Sequence, residues 1–171
     1  MSLIIKKILF FLVVSFFTYN LSFAEEVKKI GKFKDWETLV YVSDNAEKVC
    51  FAQSKPVLQS PKKKIREARL FVSFRPKDKI LDEVSSTSGY EYNNQNTVTA
   101  KSGKNQYKFD IKQENFAWIS DNKIEKKIIK VMKKASRIMI TGFNKSGSQT
   151  IDHYSLMGFT KAYNAAKKSC S

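Results

Sequence analysis

The chain holds a single histidine and two cysteines, so any chemistry it performs must be built from carboxylates, hydroxyls and lysines. His153 sits in the run Asp152-His153-Tyr154-Ser155, which has residue types found in nucleophile–base–acid sites. On a strand, however, Asp152 and His153 point to opposite faces, so the acid does not orient the imidazole without a bulge. Ser155 shares the face of His153 but lies about 7 Å along the strand, and no third member is visible. The carboxylates Asp82 with Glu83 and Asp110 with Glu114 leave one enzymatic alternative open, a hydrolase cutting cell-wall glycan between two acids. Zinc needs clustered His, Cys, Asp or Glu at fixed offsets, and no such cluster can be assembled here. The stretch Gly142 to Gly147 lacks the glycine and lysine spacing that cradles phosphate. The expectation is a protein with no catalytic residues, no cofactor and no metal.

Cys50 and Cys170 take their meaning from the compartment. Lys6 and Lys7 precede an apolar run over 8–17, and Ser22-Phe23-Ala24 is a small-x-small site. This is the pattern of a secretory leader cleaved after Ala24, which makes Glu25 the first mature residue. An apolar core of this length spans about 15 Å as a helix, roughly half a bilayer's hydrocarbon core. The competing reading is an uncleaved anchor lengthened through 18–23. Residues 25–171 then form one domain with no membrane span after processing. Two thiols in an oxidising compartment predict a structural Cys50–Cys170 bridge, the rival being a redox dithiol, which normally uses Cys-x-x-Cys.

The chain carries 31 Lys+Arg against 16 Asp+Glu, a formal net charge of +15. Such a field draws negative surfaces. Within the polar connector 55–69, Lys62, Lys63, Lys64 and Arg66 form the candidate anion-binding group, joined by the lysine face of a helix over 123–134. The partners this suggests are lipid headgroups, lipopolysaccharide, acidic glycan or an envelope protein, with no nucleic acid expected. The other reading is a solvated loop and helix face in a lysine-rich composition.

These groups must be held by short strands. Arg69 to Arg75 alternates Leu70, Val72 and Phe74 onto one face, and Pro76 ends it. Segments 36–43 and 48–54 form a hairpin. Segments 81–88, 97–101, 106–111 and 116–119 follow, with a turn at 102–105, and 137–143 with 149–154 make a third hairpin about the turn at 144–147. Ile124, Ile128, Val131, Met132 and Ala135 recur at helical spacing behind an Asn122–Glu125 capping box. Phe159, Ala162, Tyr163, Ala166 and Cys170 form the stripe of a terminal helix with Ser155 as N-cap. The pattern predicts a mainly β protein, an antiparallel β-sandwich or partly closed barrel with one mid-chain and one C-terminal helix. Trp36, Trp118 and Phe159 are the expected core anchors.

Several runs, taken in order, resemble one family: Phe33-Lys34-Asp35-Trp36, Lys48-Val49-Cys50-Phe51-Ala52-Gln53, Arg75-Pro76, Gly89-Tyr90, Ala117-Trp118, Met132-Lys133-Lys134, and the close Thr150, Asp152, Tyr154-Ser155-Leu156, Gly158-Phe159-Thr160 and Ala162. Together they are similar to the invasion-associated locus B family of exported alphaproteobacterial proteins. The resemblance implies a small β-rich periplasmic or envelope-associated domain without established catalysis or cofactor, some pathogen members of which promote host-cell entry. Many members carry a further cysteine soon after the position of Trp36 and another pair mid-domain. Here the first region reads Thr38-Leu39-Val40-Tyr41, which leaves a sparser disulfide scheme.

Overall fold

The computed structural model describes residues 26–43, 47–62 and 65–171. The leader, its Ala24/Glu25 junction, Lys63 and Lys64 lie outside the described residues. Among the described residues, twelve strands and two helices follow in the order β1 (Glu26–Phe33), β2 (Trp36–Val42), β3 (Lys48–Ser54), β4 (Leu58–Ser60), β5 (Arg69–Arg75), β6 (Ile80–Thr87), β7 (Val98–Ser102), β8 (Asn105–Phe109), β9 (Ile111–Gln113), β10 (Phe116–Trp118), α1 (Asn122–Met132), β11 (Arg137–Phe143), β12 (Gln149–Ser155) and α2 (Phe159–Ser169). They form two antiparallel sheets that do not close into a barrel, β1-β2-β3-β5-β6-β10-β9 and β4-β12-β11-β7-β8.

Alternation explains why these segments pair as they do. Trp36, Thr38 and Val40 of β2, Cys50, Ala52 and Ser54 of β3, and Leu70, Val72 and Phe74 of β5 all turn to the same buried face. Val98 and Ala100 of β7, Phe109 of β8, Ile138 and Ile140 of β11 and Tyr154 of β12 come from the second sheet into one continuous core. A one-residue slip in any of these strands would carry its apolar set into water, so the register is fixed by burial.

Helix α2 lies on the inner face of the first sheet. Trp36 and Phe159 rings meet edge-on at 4.7 Å, and the Trp36 indole N–H donates to the Ser155 carbonyl at 2.8 Å. Its N-cap is Gly158, not Ser155, which closes β12 instead. Gly158 has φ 93°, and a Cβ there would stand 1.8 Å from the Phe33 carbonyl oxygen, so only glycine lets the chain turn against β1 at this point. At the far end of α2, Cys170 closes onto Cys50 with S–S 2.04 Å and Cα–Cα 5.8 Å, the expected bridge.

Four expectations need correction. Asp121, one residue earlier than expected, caps α1 by accepting from the Lys123 N–H. Glu125 does not reach back to the cap. Its carboxylate is drawn inward to accept the Val84 N–H at 2.8 Å, because β10 ends at Trp118 opposite Ser85 and leaves that donor without a ladder partner. The segment 106–111 is two strands in different sheets, split at Asp110. Trp118 is only half-buried and stacks on Phe116, whereas Trp36 and Phe159 are fully buried as expected. Strand β4, inside the connector taken for a loop, pairs with β12.

Candidate binding surface

The connector 55–69 divides the predicted cationic group. Lys62 is exposed, but Arg66 turns inward and grips Asp152 with both terminal nitrogens, at 3.0 and 2.5 Å. It also donates to the Ser88 carbonyl at 2.7 Å and lies over the Tyr90 ring. Asp152 is fully buried. A buried carboxylate demands a cation, so Arg66 is consumed within the fold and does not belong to an anion-binding group. Burial raises the Asp152 carboxyl pKa, and the Arg66 hydrogen bonds oppose it. The surroundings are polar as well: Tyr90 and Thr150 hydroxyls pair at 2.6 Å, and the Tyr92 hydroxyl donates to Ser88 at 2.9 Å. Gly142 makes room for both tyrosines, since a Cβ there would meet the Tyr92 ring at 2.7 Å. Arg66 Nε and the buried Tyr154 hydroxyl have no hydrogen-bond partner among the described residues.

The groups considered for catalysis are held apart. His153 lies on the face of β12 opposite Asp152, and the Ser155 hydroxyl accepts from the Met157 N–H. Asp82 accepts from the Tyr163 hydroxyl at 2.5 Å, while Glu83 is held by a two-pronged grip from Arg75 at 2.8 and 2.7 Å. Asp110 accepts from the Ser120 hydroxyl and N–H, which hold its carboxyl below the usual range, and Glu114 is exposed in a turn at φ 52°. Neither sequence pair faces its partner across a cleft. The acids that the fold does bring to one cleft are Glu83 and Glu125, which are remote in sequence and gave no spacing signal. Desolvation pushes the Glu125 carboxyl up to about 7, reinforced by nearby Glu83, Asp82 and Asp121 and opposed by the Val84 N–H. Among the described residues, no three of His, Cys, Asp and Glu are placed to hold a metal.

Positive charge concentrates on α1 and at its end. Lys123, Lys126, Lys127, Lys130 and Lys134 are exposed, and none has an acid within ion-pair reach among the described residues. Lys133 differs, with its ammonium 3.8 Å from the Tyr163 ring centroid. Between the last turn of α1 and the β7–β8 turn lies a groove of about 760 Å³ lined by Lys104, Lys130, Lys134 and Arg137, with Val131 and Ala135 between them and no acidic residue. The helix C-terminus contributes about half a negative charge here, too little to cancel four cations. Sequence reading found the helix face but not Lys104 and Arg137, because only the pairing of β11 with β7 brings them to it.

Among the described residues no helix is long and apolar enough to cross a membrane. The family model described as Invasion associated locus B (IalB) protein matches residues 36–167. No curated protein and no solved structure matches the chain.

Proposed function

Because this chain belongs to the invasion associated locus B family, we propose that it is an exported, non-enzymatic domain of the periplasm that holds itself to an anionic envelope surface. In this reading residues 1–24 are a leader removed between Ala24 and Glu25, and 25–171 act as one binding domain. Members of the family are not enzymes. In this chain three of the four acids that suggested glycan hydrolysis, Asp82, Glu83 and Asp110, each serve a structural partner, and Glu114 is exposed in a turn. The single observation that carries the binding reading is the set of unneutralised cations along α1 and around the groove. Each cation near an anionic membrane contributes about 1 kcal/mol, so four acting together favour attachment by roughly a thousandfold, weakened as salt screens them. Lys62, Lys63 and Lys64 stay candidates for anion binding in their own right, and Arg66 does not.

Co-sedimentation of the mature protein with vesicles of phosphatidylcholine, with and without phosphatidylglycerol, tests this. Retention is expected only on the anionic vesicles, falling as salt rises and weakened when Lys130, Lys134 and Arg137 are replaced by Ser. Equal retention on neutral vesicles, or none on either, would refute the reading.

A further inference from the structure

The first sheet has a second face, opposite Trp36, Cys50 and Leu70, and it carries a row of aromatic rings. Phe51 of β3, Phe71 of β5, and Phe116 and Trp118 of β10 follow one another with centroid spacings of 6.0, 6.0 and 5.6 Å. Ser85 of β6 stands in register between Phe71 and Trp118, and its small side chain lets the rings on either side meet across that strand. Alternation would place polar residues on a solvated sheet face, so four rings in contact there need a reason. Phe116 is 37 % exposed and the other three are half-buried, while α2 packs on the opposite face of the sheet against Trp36, Thr38 and Phe74.

At its Trp118 end the row opens into a cleft of about 440 Å³ whose lining includes Arg75, Glu83, Gln113, Ser120 and Asn122. Two features choose the ligand chemistry. Arg75 is neutralised by Glu83 and Asp78, so the cleft carries no cation free for an anionic ligand, unlike the groove at the end of α1. The row is also narrow, bordered by Gln53 and Arg69, whereas a stable protein partner needs about 800 Å² from each side. A ligand that is flat and apolar on one face, rich in hydroxyls at its rim, uncharged and narrow matches both the rings and the polar cleft. We infer that Phe116, Trp118 and this cleft form a binding site for a neutral chain of pyranose sugars, with Phe51 and Phe71 extending the stacking platform and exposed Gln113 and Asn122 meeting the hydroxyls. It is a binding site and not a hydrolytic one. Both Glu83 oxygens are held by Arg75, and Glu125 is committed to the Val84 N–H.

The test does not depend on the anionic-surface reading, because the probes are uncharged. Chitohexaose, cellohexaose and maltohexaose are titrated separately into the mature protein by calorimetry and by tryptophan emission. Trp36 is fully buried, so a change in emission reports Trp118. Saturable binding of at least one probe is expected, with a blue-shifted emission and no release of reducing ends. Trp118→Ala is expected to cut affinity about tenfold or more, as loss of a central aromatic contact does. The Gln113→Ala/Asn122→Ala double variant should do likewise while keeping the melting temperature of the parent. Lys130→Ser/Lys134→Ser should leave sugar binding unchanged. No binding of any probe, or binding that survives Trp118→Ala, would overturn the inference. So would self-association in sedimentation that Phe116→Ser abolishes, which would assign the row to a second copy of the chain.

Discussion

Glu125 is the group whose burial should be most visible in stability. It is 3 % exposed on the inward side of α1, and its carboxyl is raised from 4.5 to about 7. The folded state therefore holds this proton more tightly than the unfolded chain. The stabilising contribution is complete below about pH 4.5 and is lost as pH rises through about 7. At 1.36 kcal/mol per pH unit the contribution is about 3 kcal/mol. A carboxylate in the first turn of a helix gains only about 0.3–1 kcal/mol from the helix dipole, so desolvation wins. Glu125→Gln removes the ionisation and keeps an oxygen for the Val84 N–H. Urea unfolding at pH 5, 6, 7 and 8 should show near-equal stabilities at pH 5, with the variant becoming more stable by about 3 kcal/mol at pH 8. Glu37 and Asp110, whose carboxyls are depressed, finish titrating below this window and do not confuse it. Glu125→Ala should instead be destabilised at every pH, because the Val84 N–H is left buried without an acceptor, at a cost of about 1–3 kcal/mol. A stability difference between wild type and Gln that stays flat from pH 5 to 8, or a Gln variant less stable at pH 8, would refute the reasoning.

The Cys50–Cys170 bridge closes a separation of 120 residues, which the chain-entropy model values at up to about 5 kcal/mol. Replacing both cysteines by Ala should lower the melting temperature by roughly 5–15 °C in calorimetry, and an unchanged transition would contradict that value. Asp152→Ala strands the Arg66 guanidinium and should cost about 3–5 kcal/mol in urea unfolding. The double variant Arg66→Met/Asp152→Leu should recover much of that loss, since replacing both charges by apolar groups leaves no unpaired ion.

Strand identity was legible wherever alternation was strong. The β5 pattern, the β2–β3 hairpin and the β11–β12 hairpin all follow from apolar residues two apart and turn residues between them. The Phe159, Ala162, Tyr163, Ala166 stripe placed α2 correctly and with it Cys170, because a helix stripe fixes which side chains face the sheet. What failed was information held in long-range pairing. Strand β4 is three residues long and exists only because β12 offers it an edge, so no local pattern marked it. Residue type alone points Trp118 to the core, although its neighbour Ala117 is the one that turns inward. Arg66 read as one more surface cation, since nothing in a run of basic residues reveals that one of them will meet a carboxylate 86 positions away. The groove at the end of α1 and the aromatic row are both assembled by sheet order, which spacing along the chain does not encode.

The most direct measurement is fractionation of cells that express the full chain, followed by intact mass of the recovered protein and extraction of the membranes with rising salt. Export followed by electrostatic attachment predicts a periplasmic, envelope-associated species that begins at Glu25, has no free thiol, and is released by salt without detergent. A cytoplasmic species retaining residues 1–24, or one that only detergent releases, would contradict it.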